Sequence, residues 1–295
     1  MAPNRISTGR NDDKILTSME INYEVLHKIA LHAEETSGRK IVFLFVQGSQ
    51  NYNLETETSD IDCKAFCLPS FEDFYYNKEY STTLEGEYGQ TTVHDIRMLV
   101  DLLTKMNPTY VEMFFSKYLY FPHPELKKAL FSAVPEFKGF RSFYNNLFRL
   151  YKYRFLQSMI GTFAKKLKEL ENPTPAREEV VKKYGYDVKS ASHAIRYFRL
   201  MIVIVSFLRH QTNVSPYEAY AGELSLIDLN ARQFLLDIKL GKMPKDDILD
   251  RLDFENQYVQ TVKKQYEMLS KKPVDSTLAS KLRKEIYEFV KAQLA

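Results

Sequence analysis

Cysteine is nearly missing from this chain: 295 residues hold only two, Cys63 and Cys67. A zinc site wants four ligands in a recognisable spacing, which two thiols do not supply. Residues four apart on a strand lie roughly 13 Å apart, which rules out an unstrained disulfide, so both read as small buried thiols. Internal repeats, low-complexity tracts and glycine-rich linkers are also absent. That excludes a solenoid and loosely tethered domains, and predicts halves that pack tightly. No secretory signal pattern occurs, since Met1 to Asp13 is polar and reads as a loose tail. The longest apolar run, Leu200 to Leu208, is too short to span a bilayer and is interrupted by Ser206. A cytoplasmic protein with no membrane partner is expected.

What is present is an ordinary soluble composition, 44% hydrophobic and 27% charged, in a chain long enough to bury a sizeable core. The net charge of +3 conceals a division. Residues 1–135 carry 13 Lys+Arg against 19 Asp+Glu, whereas residues 136–295 carry 28 against 19. The excess lies in 136–212, with 15 basic residues against 6 acidic. An acidic half offset by metal, joined to a basic segment, suits a polyanionic ligand.

The most informative stretch begins with the apolar run Ile41 to Val46, a buried strand by composition, followed by Gly48-Ser49. Ten residues separate that pair from Asp60-Ile61-Asp62, and Asp60 to Leu68 reads as the next strand. Side chains alternate along a strand, so Asp60, Asp62 and Lys64 share one face while Ile61, Cys63, Ala65 and Cys67 take the other. Two carboxylates this close repel unless a positive group lies between them, and a hard divalent cation with oxygen ligands is the usual solution. Gly48 allows a sharp turn and close approach to a ligand. A helix starting there offers N–H groups, and Ser49 a hydroxyl, to phosphate.

Gly-Ser, a loop, then Asp-x-Asp on a strand resembles the nucleotidyltransferases of the DNA polymerase beta superfamily. A closer resemblance, to the predicted nucleotidyltransferases of bacteria and large phages, covers most of the chain. It implies an α+β architecture: an N-terminal catalytic domain, 1–135, with a small mixed sheet flanked by helices, then an all-helical domain, 136–295, closing the nucleotide cleft. It also implies that Gly48 and Ser49 cradle an NTP triphosphate and that Asp60 and Asp62 hold two Mg²⁺ ions, with Mn²⁺ as a substitute. The superfamily needs a third carboxylate on a later strand. Asp95, late in the β-prone Thr91 to Ile96, is the first candidate for both metal binding and catalysis, and Asp101 the rival. Asp101 falls in Arg97 to Met106, which looks helical and places it on an outer face. His94 would point away from Asp95, a packing position.

Tyr186-Asp187-Val188-Lys189, with His193 and Arg196 following, is the second most specific element of the resemblance. Lys189, His193 and Arg196 form one stripe at i, i+4 and i+7 of a helix. The resemblance implies that they bind nucleotide, with Lys189 and Arg196 reaching across the cleft to the triphosphate; ion pairs with acidic residues of the first half are the alternative. Asn107-Pro108 starts a helix in whose first turn Glu112 either assists the site or merely favours the helix dipole. Asp237 to Lys242 resembles a basic turn of the family with no evident role. Aromatic residues Phe143, Tyr144, Phe148, Tyr151 and Phe155 alternate with basic ones from Phe140 onward, which suits either RNA contact or a core stripe with a charged back.

The remaining pattern predicts a first helix capped at Thr17 to Glu20 and ended by Gly38, and late helices over Leu224 to Leu240, Lys245 to Ser270 and Thr277 to Leu294. The acceptor stays open among an RNA or tRNA 3′ end, a protein hydroxyl of toxin–antitoxin type and a small molecule. A nucleotide- or RNA-binding module without turnover and a purely structural protein are the non-enzymatic alternatives.

Overall fold

The computed structural model describes residues 21–56, 59–210, 213–225, 228–270 and 274–295. The capping box at Thr17 to Glu20 lies outside the described residues. Within them, Asn22 caps the first helix, α1 (Tyr23–Ser37), by accepting from the Val25 N–H at 3.0 Å, and Gly38 ends it in a left-handed turn.

A five-stranded mixed sheet follows, built from β1 (Ile41–Val46), β2 (Cys63–Cys67), β3 (Ser81–Gly86), β4 (Gly89–Asp95) and β5 (Leu119–Tyr120), in the order β3-β4-β2-β1-β5. Only β2 and β4 run parallel. Short helices fill the connections: α2 (Ser49–Tyr52), α3 (Phe71–Tyr75), α4 (Leu99–Thr104), α5 (Pro108–Val111) and α6 (Pro124–Ala133).

The unbroken apolar character of β1 has a direct cause, since both faces of the sheet are covered. Ile41, Leu44 and Val46 pack with Cys63, Ala65, Cys67 and Val93 under Leu26, Ile29, Ala30 and Ala33 of α1. Val42, Phe43, Phe45 and Phe66 turn to the other face and join the helical half. The two cysteines are free and buried, and burial pushes both thiols up to about 12.

The C-terminal half is all helix: α7 (Phe140–Glu171), α8 (Glu178–Tyr184), α9 (Val188–Leu208), α10 (Pro216–Leu224), α11 (Leu229–Lys239), α12 (Lys245–Ser270) and α13 (Thr277–Leu294). The helix expected over Leu224 to Leu240 is α11, which starts only at Leu229, and Leu224 instead ends a separate helix, α10. Ser215 opens α10 through a capping box with Glu218, and Asp228 caps α11 at the Asn230 and Ala231 N–H groups. By length and composition α9 could cross a membrane; here it lies against α7, α10 and α11, and just over half of its apolar window is buried.

The aromatic stripe of α7 is core. Phe143, Tyr144, Phe148, Tyr151 and Phe155 are all buried, which removes them from any stacking surface for RNA. Tyr144 lies where the halves meet, in ring contact with Phe114 and Phe115 of the first half and with Tyr217 and Tyr220 of the second. One apolar cluster thus runs from Val42 to Val290 without a break between residues 135 and 136. Shared burial couples the halves, so thermal unfolding is expected to show one transition. Tyr144→Ala should lower stability by about 3–5 kcal/mol. The Tyr144 hydroxyl has no hydrogen-bond partner among the described residues. Tyr144→Phe is therefore expected to raise stability by about 1 kcal/mol. Calorimetry of both variants checks this; two separate transitions would contradict a shared core.

Candidate active site

Antiparallel pairing of β1 with β2 brings the two parts of the opening motif together. Val46 faces Cys63, and the Gln47 N–H donates to the Asp62 carbonyl at 2.9 Å, so Gly48 emerges beside the carboxylates. Gly48 has φ 86 and ψ −147, a conformation that glycine adopts at no steric cost, and it turns the chain into α2.

Asp60 to Asp62 precede β2 instead of forming its first residues. Their backbone is held from three sides: the Gln50 side chain donates to the Asp60 carbonyl at 2.8 Å, the Ile61 N–H donates to Tyr88 at 2.7 Å, and Asp62 receives Gln47. Alternation survives this irregularity. Ile61 is buried under α1, while Asp60 and Asp62 both line a cleft of about 510 Å³ between the sheet and the helical half. Asp62 also accepts from the Gln90 N–H at 3.3 Å. Lys64, half-buried on the same face, donates to the Thr92 hydroxyl at 2.7 Å.

Asp95 is not with them. Parallel register sets Cys63 beside Thr91 and Cys67 beside Asp95, so Asp95 stands at the opposite end of the sheet from Asp62. Five residues of strand separate their levels, about 16 Å. Its carboxylate is fully buried, held by the Arg97 side chain, and caps the following turn at the Arg97 N–H, 2.9 Å away. Asp101, the rival, is half-buried on α4 and pairs with Arg283 at 2.7 Å. Neither is a third ligand to a cation at Asp60 and Asp62. Among the described residues no group of three or more His, Cys, Asp or Glu side chains could hold a metal ion. His94 packs as expected, bonded to the Ser81 and Tyr110 hydroxyls, and burial then nearby Lys64 lower its imidazole to about 4.

Lys189, His193 and Arg196 do meet the motif. All three line the same cleft as Gly48, Ser49, Asp60 and Asp62. They come from α9, whose N-terminus is fixed by Asp187 accepting from the Lys189 and Ser190 N–H groups at 3.0 and 3.2 Å. Lys189 is exposed at the mouth and His193 is half-buried. Burial, then the surrounding Arg196, Lys166, Lys189 and Lys239, hold His193 well below its usual value, so the ring is neutral at pH 7.

Arg196 is only 3% exposed and forms the floor. Its guanidinium carbon lies 3.6 Å over the Tyr52 ring and 4.8 Å from the Tyr197 ring centre. Glu112, 2% exposed, faces it with Nη1 to Oε1 at 3.6 Å, beyond hydrogen-bonding distance. Burial pushes the Glu112 carboxyl up against the opposing pull of Arg196. The Nε and Nη1 groups of Arg196 and the Oε1 atoms of Glu112 and Gln47 have no hydrogen-bond partner among the described residues.

One arm of the site was unassigned in the sequence. Within the turn Asp237 to Lys242, Lys239 lines the cleft and donates to the Leu54 carbonyl at 2.7 Å and the Ser59 hydroxyl at 3.2 Å. Arg232, on the same helix, donates to the Asn53 carbonyl at 2.7 Å, and Asn53 in turn donates to the Ser225 carbonyl at 2.9 Å. Helix α11 thereby grips both ends of the loop that leads from α2 to Asp60. Burial first, then Lys189, lowers the Lys239 ammonium to about 8.

A comparison with curated proteins finds no match. The family profile RlaP, described as the RNA repair pathway DNA polymerase beta family, matches residues 21–284 and so takes in the sheet, the cleft and nearly all of the helical half. The family is polymerase-beta-like and implies nucleotidyltransferase activity in general, on an NTP substrate. With its Gly-Ser turn, paired carboxylates and cationic helix gathered in one cleft, the chain belongs to the RNA repair pathway DNA polymerase beta family.

Proposed function

We propose that this protein is a metal-dependent nucleotidyltransferase that moves a nucleoside monophosphate from an NTP to the 3′-terminal hydroxyl of an RNA. The observation that carries this reading is the Arg196 guanidinium, buried with two nitrogens unpartnered in the cleft that holds Gly48, Ser49, Asp60 and Asp62. A buried charged donor left unpaired is costly, and anionic oxygens of a ligand would complete it.

The carboxylates fit a hard cation. Asp60 and Asp62 are oxygen ligands, and neither has an ion-pair partner within 4 Å among the described residues. Mg²⁺ commonly takes one or two carboxylates and completes its shell with water and substrate phosphates, and Mn²⁺ accepts similar ligands. When bound, such an ion lowers the pKa of the acceptor hydroxyl and offsets phosphate charge.

The chain's own groups supply the rest. Gly48 and Ser49 orient the terminal phosphates at the turn into α2. Lys189, Arg196 and Lys239 offset the negative charge that grows on the departing pyrophosphate, and each well-placed donor of this kind contributes about 3 kcal/mol. His193, kept neutral, offers a hydrogen bond without charge. Arg177 and Lys189 in the cleft lining give an RNA end cationic contacts, and the family's RNA-repair description favours that acceptor.

Incubation with each α-labelled NTP, Mg²⁺ and RNA, cell protein or small-molecule acceptors tests the proposal. Label is expected on RNA 3′ ends, and Asp60→Asn or Asp62→Asn should reduce it about 100-fold or more. Label on protein or a small molecule would replace the acceptor, and no pyrophosphate release with any of them would sink the enzyme reading.

Arg196 separates stability from binding. Arg196→Met leaves Glu112 buried without its partner and should cost about 3–5 kcal/mol. In Arg196→Met with Glu112→Gln, stability is expected to return while NTP affinity does not; recovery of both would make Arg196 structural only. Lys239 sets a pH dependence. Its ammonium is charged below about 8, and a polyanion favours the charged form. NTP affinity should therefore fall as pH rises through 8, and this fall should be absent in Lys239→Gln, as titration calorimetry at pH 7 and 9 would register.

A further inference from the structure

The cleft has two kinds of wall. Phosphate-binding chemistry is concentrated at Gly48, Ser49, Lys189, Arg196 and Lys239, whereas Val180, Tyr184, Val188 and Leu240 form an apolar side. A nucleotide is divided in the same way, into a charged tail and a flat ring system with apolar faces. Resting on the nucleotide reading above, we propose that Tyr184 is the stacking plate for the nucleobase and that Gly241 sets the plane of its ring.

The geometry of Gly241 carries the argument. Tyr184 ends α8, and Gly185 follows in a left-handed turn. Gly241 has φ 69, and a Cβ placed on it would lie 2.1 Å from Cδ1, 2.2 Å from Cε1 and 2.7 Å from Cγ of Tyr184. Nearly equal distances to the bonded pair Cδ1 and Cε1 place that point out of the ring plane, over that edge of the ring. Gly241 therefore approaches Tyr184 from one face at this edge, and any side chain there would drive the ring away.

The ring is half-buried against the core, and one further neighbour is exposed. The Lys183 ammonium is 4.8 Å from the ring centre, and Lys183 is solvent-exposed on a long flexible stem. Such a surface cation–π contact is weak, and a base stacked on the ring displaces it readily. Gly241 also belongs to the turn that carries Lys239, which is bonded to Leu54 and Ser59. One turn thus fixes a phosphate-side cation and the base plate together.

Val180, Val188 and Leu240, which line the cleft with Tyr184, have no hydrogen-bonding side chain to read a base edge. Stacking area then decides, which favours purines over pyrimidines without selecting one base.

The chain has no tryptophan, so Tyr184→Trp supplies a single reporter. With Mg²⁺, ATP is expected to change its emission saturably, whereas inorganic tripolyphosphate should raise Tm without that change. Tyr184→Ala and Gly241→Ala should each bind ATP roughly tenfold more weakly, and Tyr184→Ala should bind tripolyphosphate as the wild type does. Tyr184→Phe should keep ATP affinity, and UTP should bind the wild type more weakly than ATP. Unchanged ATP affinity in both alanine variants, or an equal loss for tripolyphosphate in Tyr184→Ala, would overturn the assignment of Tyr184 alone. No Tm shift of the wild type with either ligand would overturn the nucleotide reading and this one with it.

Discussion

The contact on which the site depends is the buried meeting of Arg196 with Tyr52 and Glu112. Tyr52 closes the four-residue helix that Ser49 opens, and Glu112 follows α5 directly, so both belong to the sheet-bearing half. Arg196 comes from the middle of α9 in the helical half. The charge is buried where it lies, and besides the Tyr197 ring on its own helix its partners, Tyr52 and Glu112, come from the other half. Docking of the halves and formation of the cleft floor are therefore one event. The remaining unpaired nitrogens represent a cost that the folded chain carries before any ligand arrives.

A second tie acts from the side. Arg232 and Lys239 hold carbonyls of Asn53 and Leu54, and Lys239 also reaches Ser59. These residues flank the segment between the Gly-Ser turn and Asp60. A loop of this length would otherwise let the two carboxylates wander relative to α2. The sheet fixes Asp62 through Gln47 and Gln90, and α11 fixes the approach to Asp60. The helical half is thus part of the catalytic frame and more than a cover.

Much of this was legible because it depends on spacing. Alternation put Asp60 and Asp62 on one face, and helical period put Lys189, His193 and Arg196 on one stripe. Asp95 is not placed by the sequence, because composition reveals a strand but not its direction. Had β4 run antiparallel to β2, a residue late on it would have stood near Asp62; running parallel, it stands near Cys67. Arg97, two residues on, was the available sign that Asp95 had a local partner. Lys239 has no such sign in the sequence, because its partners, the Leu54 carbonyl and the Ser59 hydroxyl, lie some 180 residues away. The aromatic stripe of α7 could be placed on a face, but what covers that face is a tertiary fact.

The basic excess of 136–212 also changes meaning once it is placed. Arg141 pairs with Glu218, Lys166 with Glu169, Lys182 with Glu179 and Arg199 with Glu223, so these cations answer local carboxylates. Those that line the cleft are Arg177, Lys189 and Arg196, joined by Lys239 from outside the segment. A few cations gathered around a single cleft fit the proposed transfer, in which a triphosphate and one strand end would be gripped closely. Under that proposal the residues that position the chemistry would also choose the substrate.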